Sequence, residues 1–167
     1  MSEKILFVDE NDQPIGSGTR EEAWAKGVHH RITRVILRDE NGKILSQLRS
    51  KNKKLYPNRW TDSASGHVDE GEDYEDAMVR EMREEIGVET NLKFVGKFLS
   101  HHTNFGVETP VFNAIFEGVI DSSTKLNLQE SEVADFAWYE LEALKLEMND
   151  NPDKFTPGFV EAFRRYY

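Results

Sequence analysis

The chain contains no cysteine. That absence removes disulfides, thiolate nucleophiles and cysteine-based zinc sites in one step. Basic charge is also scarce: 21 Lys and Arg stand against 31 Asp and Glu, a formal net charge of -10 over 167 residues. A duplex nucleic acid partner requires a basic surface, so that class is set aside. Long apolar runs are missing as well. Ile5-Leu6-Phe7-Val8 is too short for a signal-peptide core, and nothing approaches the roughly 18 residues of a membrane span. No internal repeat, low-complexity tract or Pro/Gly/Ser linker interrupts the chain. The expectation is therefore a cytoplasmic protein with no membrane partner, folded as one domain over residues 1–167. A hydrophobic fraction of 38%, with ten Phe, supplies a core and argues against disorder.

Patterning predicts strands at 4–8, 30–37, 43–48, 60–65, 93–100, 110–120 and 133–138. Turns are expected around Asn11-Asp12, near Gly16 and at Asp39-Glu40-Asn41-Gly42, where Asn-Gly supplies positive φ. Glu21–Ala25 reads as a short helical turn and Asp73–Ile86 as a full helix ended by Gly87. A last helix starts at Thr156, an N-cap residue, with Pro157 at the first helical position. Phe155, Phe159, Phe163 and Tyr166 recur there at near-helical spacing, an aromatic stripe for packing that is also available to a homodimer. Strands and helices interleave without strict βαβ alternation, which points to an α+β fold with a mixed sheet covered by helices.

Charge is concentrated in one place. Between Gly66 and Val88 nine acids face Arg80 and Arg83, a net of -7 that leaves -3 for the other 144 residues. On a helical wheel centred on Met78, Tyr74, Ala77, Val79, Met82 and Ile86 form the apolar arc, and Asp73, Asp76, Arg80 and Arg83 gather opposite it. Glu81, Glu84 and Glu85 do not join that solvated face; they fall at roughly -60°, -120° and -20°, inside or beside the apolar arc. Three neighbouring carboxylates there repel one another and require compensation. Basic side chains or a divalent cation would serve, and clustered hard oxygens suit Mg²⁺ or Mn²⁺. The alternative is a rotated helix whose glutamates are merely wet.

Gly66, Glu72, Arg80, Glu81, Met82, Glu84, Glu85, Gly87 and Val88 match, without a break, the Nudix box G-x5-E-x7-R-E-U-x-E-E-x-G-U, where U is aliphatic. The chain thus resembles the Nudix hydrolases. The resemblance implies an α/β/α sandwich with a mixed sheet, in which the box forms a loop–helix–loop. It also implies hydrolysis of a diphosphate in a nucleoside diphosphate derivative or other organic diphosphate, a small-molecule partner, with Mg²⁺ or Mn²⁺ as cofactor. Carried over by position, Glu81, Glu84 and Glu85 would be metal ligands, with the Gly66 carbonyl beside them and Gly66 letting the backbone turn into the site. The metal would neutralise diphosphate oxygens and acidify water. Arg80 would orient Glu72 or Glu84. Glu84, Glu85 or Glu132 would take the proton.

Outside the box, Val8-Asp9-Glu10, Gly27-Val28-His29-His30-Arg31, Gln47-Leu48-Arg49-Ser50, Lys53-Lys54 and the stretch from Trp60-Thr61 to Ser65-Gly66-His67 resemble type I isopentenyl diphosphate isomerase and its hydrolase-like relatives. Two positions depart from the isomerase. Ser65 stands where it carries a catalytic cysteine, and Trp24 stands where it carries an upstream metal-binding histidine. His30 and His67 remain. The isomerase activity is accordingly the disfavoured alternative, and a non-catalytic nucleotide-binding module is the other. Arg49, Lys51, Lys53, Lys54 and Arg59 form the dense basic patch expected to meet a polyphosphate. Arg49, Lys53 and Lys54 are the substrate-binding candidates, with His67 as a further contact.

Overall fold

The computed structural model describes residues 3–167. Its strands are β1 (Ile5–Val8), β2 (Pro14–Gly18), β3 (His30–Arg38), β4 (Ile44–Arg49), β5 (Trp60–Thr61), β6 (Ala64–His67), β7 (Lys93–Asn104), β8 (Val107–Val119) and β9 (Val133–Tyr139). Its helices are α1 (Arg20–Lys26), α2 (Tyr74–Ile86), α3 (Leu141–Asp150) and α4 (Pro157–Tyr166). All nine strands are joined by pairing, and the sheet is mixed. β3 runs parallel to β8 along its whole length and antiparallel to β6, while β7 and β8 form a long hairpin.

Alternation along β3 sorts its side chains to two faces. Val35 and Leu37 join Met78, Met82 and Ile86 of α2 in one buried cluster. Ile36 joins Ile44 of β4, Leu144 and Met148 of α3, and Phe155, Phe159 and Phe163 in a second. Helices thus cover both faces, as the α/β/α expectation required. The aromatic stripe packs inward: Phe159 meets Phe155 and Phe163 at 6.2 and 5.7 Å between ring centroids, and Tyr166 lies against Phe98.

Two elements depart from the sequence reading. Residues around Gly16 form β2, paired antiparallel with β1, and residues 141–150 form α3. The expected 60–65 strand is broken at Asp62-Ser63 into β5 and β6. Thr156 occupies the N-cap position of α4, but its side chain does not cap it; the hydroxyl pairs instead with that of Thr61 at 2.8 Å.

One break in the sheet positions the site. β3 and β4 pair only at Arg38↔Ile44 and then part company, β4 going to β9 and β5 while β3 goes to β6 and β8. Side chains from both diverging arms line a cavity of about 580 Å³. Among the described residues no helix is long and apolar enough to cross a membrane.

Phe159 is fully buried between these layers. Phe159→Ala is expected to cost about 3–5 kcal/mol. In thermal unfolding this appears as a midpoint lowered by roughly 10 °C; an unshifted midpoint would place the ring outside the core.

Candidate active site

The acidic segment folds as a loop, helix α2 and a second loop. Asp73 caps the helix by accepting from the Asp76 N–H at 2.8 Å. Gly87 ends it at φ 69°, where a Cβ would also lie 2.8 Å from that of Asn127. The loop after β8 docks on this end: the N–H groups of Asn127 and Gln129 donate to the carbonyls of Ile86 and Glu85, each at 2.9 Å. That contact brings Glu132 to the cavity.

Arg80 is the hub of the cluster. Its Nε and Nη2 donate to Glu72 Oε1 and Oε2 at 2.7 and 2.9 Å, a bidentate pair. Nη1 donates to Glu81 Oε1 at 2.7 Å and more distantly to Glu84 Oε2 at 3.4 Å, and Nη2 donates to the His67 carbonyl at 3.0 Å. The helical wheel placed Arg80 on the solvated face. Its long side chain instead folds back along the helix flank to these acceptors, and the ion pairs raise its pKa further.

Among the described residues Glu85 has no ion-pair partner. It is 7% exposed, and its Oε2 accepts from Gln47 Nε2 at 2.5 Å and from the Ser65 N–H at 3.4 Å. Burial raises the pKa of both Glu81 and Glu85, and their mutual repulsion adds to the shift on Glu85. Glu84 is exposed at the cavity rim. Gly66 serves by its size rather than by a special turn: a Cβ there would fall 2.1 Å from Glu81 Oε1. Among the described residues no three carboxylate or imidazole groups already stand together as a metal cage. The donor chemistry nevertheless fits a hard divalent cation, because the buried Glu85 and the half-buried Glu81 repel each other, present only oxygen, and share Arg80 on Glu81 as their one ion pair among the described residues.

The basic patch divides. Arg49, Lys53 and Lys54 line the same cavity, whereas Lys51 and Arg59 do not. Arg49 donates to the carbonyls of Tyr56 and Leu55 at 3.2 and 2.9 Å and so pins the loop between β4 and β5. Lys53 pairs with Glu132, and Lys54 with Glu21 at 2.9 Å. His67 stacks on His30 at 5.3 Å, with Trp24 6.4 Å from His67 on another side. Burial lowers the pKa of both imidazoles, that of His30 to about 4. The site therefore gathers Arg80, Glu81, Glu84, Glu85, Gly66, Glu132, Arg49, Lys53, Lys54 and His67. Gln47 and Asp69 were missed. Gln47 carried a signal, its place in the Gln47-Leu48-Arg49-Ser50 stretch that resembles the isomerase relatives.

A NUDIX domain model matches residues 28–159. The chain belongs to the Nudix hydrolase family. It is 34% identical over 161 residues to an isopentenyl-diphosphate Delta-isomerase 2 of Photorhabdus laumondii, covering 95% of this chain and 89% of that one. It is 32% identical over 163 residues to a prenyl-diphosphate phosphatase of Methanosarcina mazei, covering 98% and 94%. A solved structure from Deinococcus radiodurans superposes with a TM-score of 0.82 at 26% identity, covering 99% of each chain. Nudix hydrolases use divalent metal ions, in keeping with the oxygen donors of this box.

Because burial raises both carboxyl pKa values, the folded chain holds more protons than the unfolded chain above the ordinary carboxylate range. The stability of the metal-free protein accordingly falls as pH rises there. Glu85→Gln removes one of these groups at constant shape. In chelator its unfolding midpoint is expected to match wild type near pH 5 and to exceed it by about 3–6 °C near pH 8.5. A difference that does not grow with pH would show that Glu85 is not a strained carboxylate.

Proposed function

We propose that residues 1–167 act as one Nudix domain that hydrolyses a diphosphate bond in a nucleoside diphosphate derivative or another organic diphosphate, with Mg²⁺ or Mn²⁺. The observation that carries this reading is the mutually repelling Glu81–Glu85 pair, in which the buried Glu85 has no ion-pair partner among the described residues, set in a cavity that Arg49, Lys53 and Lys54 also line. Glu81, Glu84, Glu85 and the Gly66 carbonyl are assigned to the cation. The cation supplies Lewis acidity to the diphosphate and to the attacking water.

The chain's own residues do the rest. Arg80 fixes the rotamers of Glu72 and Glu81, so that the carboxylates keep their places when the cation is bound. Lys53, Lys54 and Arg49 exchange their present partners for phosphate oxygens, with His67 as a neutral contact beside them. Glu84 and Glu132 both line the cavity and are the two carboxylates assigned to the water proton. Glu84→Gln and Glu132→Gln separate them: the base is the residue whose loss abolishes the acidic limb of the kcat/KM profile.

The name of the M. mazei relative supports the diphosphatase reading. The name of the P. laumondii relative favours isomerisation, but a serine hydroxyl at position 65 is far too weak an acid to protonate an alkene, and no cysteine exists elsewhere in the chain.

The test is metal-dependent release of phosphate or nucleotide from a panel of nucleoside di- and triphosphates, ADP-ribose, dinucleotide cofactors and isopentenyl diphosphate. Glu85→Gln is expected to lower turnover by at least about 100-fold and Arg80→Lys by about 10–100-fold, both proteins staying folded. Full activity in Glu85→Gln would refute the ligand assignment. Tight nucleotide binding without turnover would favour the binding module.

A further inference from the structure

Arg34 lies at the junction of β3, β5 and α4 and is 7% exposed. Its Nε donates to Asn113 Oδ1 at 3.0 Å and its Nη1 to Asp62 Oδ2 at 2.6 Å. Its Nη2 finds no acceptor among the described residues, although the side chain lines the cavity together with Thr61, Thr156 and Gly158. A Cβ on Gly158 would lie 2.1 Å from Nη2, so the guanidinium rests directly on the first turn of α4.

That turn is short of acceptors. The Thr156 hydroxyl is engaged with Thr61, no side chain caps the helix, and the N–H groups of Gly158 and Phe159 meet no acceptor among the described residues. A guanidinium is thus held at the positive end of a helix dipole; the Asp62 ion pair balances its charge and leaves Nη2 facing the turn. An anionic oxygen lodged here would accept from Arg34 Nη2 and from the uncapped turn together.

We propose that Arg34 Nη2 and the first turn of α4 form an anion subsite of this cavity, which binds an anionic oxygen of the substrate. The oxygen belongs either to the diphosphate itself or to a second acid group on the moiety it carries. The substrate assignment rests on the hydrolase reading; the anion site itself does not.

Two variants test it. Arg34→Lys keeps a positive charge facing Asp62 but removes the guanidinium fork, and Gly158→Ala keeps every donor while displacing the guanidinium. Calorimetric titration with inorganic phosphate, which needs no turnover, is expected to show binding weakened about tenfold or more in both, with cooperative unfolding retained. Unchanged phosphate affinity in either folded variant would overturn the subsite. Turnover of a nucleoside 5′-diphosphate is then compared with that of its 3′-phosphorylated form in the presence of Mg²⁺. A raised KM at unchanged kcat for both compounds assigns the subsite to the diphosphate; a rise confined to the 3′-phosphorylated form assigns it to the second acid group. An unchanged KM for both overturns its role in substrate binding. Arg34-dependent phosphate binding by a wild-type protein that hydrolyses nothing would keep the subsite and reject the hydrolase.

Discussion

The guanidinium of Arg80 decides how the acidic segment of this molecule can fold. Segment 66–88 carries a net charge of -7, and a helix so loaded packs against a sheet only if some of that charge is answered locally. Arg80 answers Glu72 through both oxygens, reaches Glu81, and ties the helix to the β6 end through the His67 carbonyl. It does not reach Glu85, which burial leaves with amide donors alone. Partial neutralisation is the point of the arrangement. Complete compensation would leave an inert buried ion-pair network. With none, two desolvated carboxylates would oppose folding throughout the neutral range. The residual demand for positive charge is thereby concentrated on Glu81 and Glu85, at the wall of a cavity.

The cavity follows from one register decision. Once β3 and β4 separate beyond Arg38 and Ile44, the sheet cannot close over the region between them, and the short strands β5 and β6 fill it incompletely. Strand alternation then gives β3 a double use. Thr33, Val35 and Leu37 are buried, with Val35 and Leu37 packed on α2, while His30, Ile32 and Arg34 line the cavity and Ile36 packs beneath α3 and α4. Cavity-lining residues and core residues are interleaved on the same nine-residue strand. The site is therefore held as rigidly as the core, as positioned electrostatics require.

What could be seen in the sequence was local. The box helix carries its own cap, its own terminator and a 3.6-residue apolar arc, so its limits and the anomalous placement of its glutamates were legible. Arg80 shows where such reasoning ends: the wheel gives the direction of a Cα–Cβ bond, whereas a long side chain goes where its acceptors are. β2 was unreadable because Pro14, Gly16 and Gly18 are poor strand formers, and it exists only because β1 offers an edge. α3 had a readable spacing in Leu141, Leu144 and Met148, but Glu140 gives it no side-chain cap and no start signal. Gln47 and Arg34 meet partners 38 and 79 residues away, contacts that no window along the chain contains.

Two relatives of nearly equal identity carry names for different reactions, so similarity alone does not choose between them and the chemistry of position 65 must. Ser65 sits in β6 with its N–H turned to Glu85, beside the carboxylates and within the same cavity. Delivering a proton to carbon asks that one side chain be a competent acid, and a hydroxyl there is not. Cleaving a phosphoric anhydride asks instead for neutralised phosphate charge and an oriented water. The carboxylates, Arg80 and the basic wall that would meet those demands do not use the Ser65 side chain. A cysteine can be absent from this position and leave the proposed hydrolytic machinery whole; the loss of Glu85 could not.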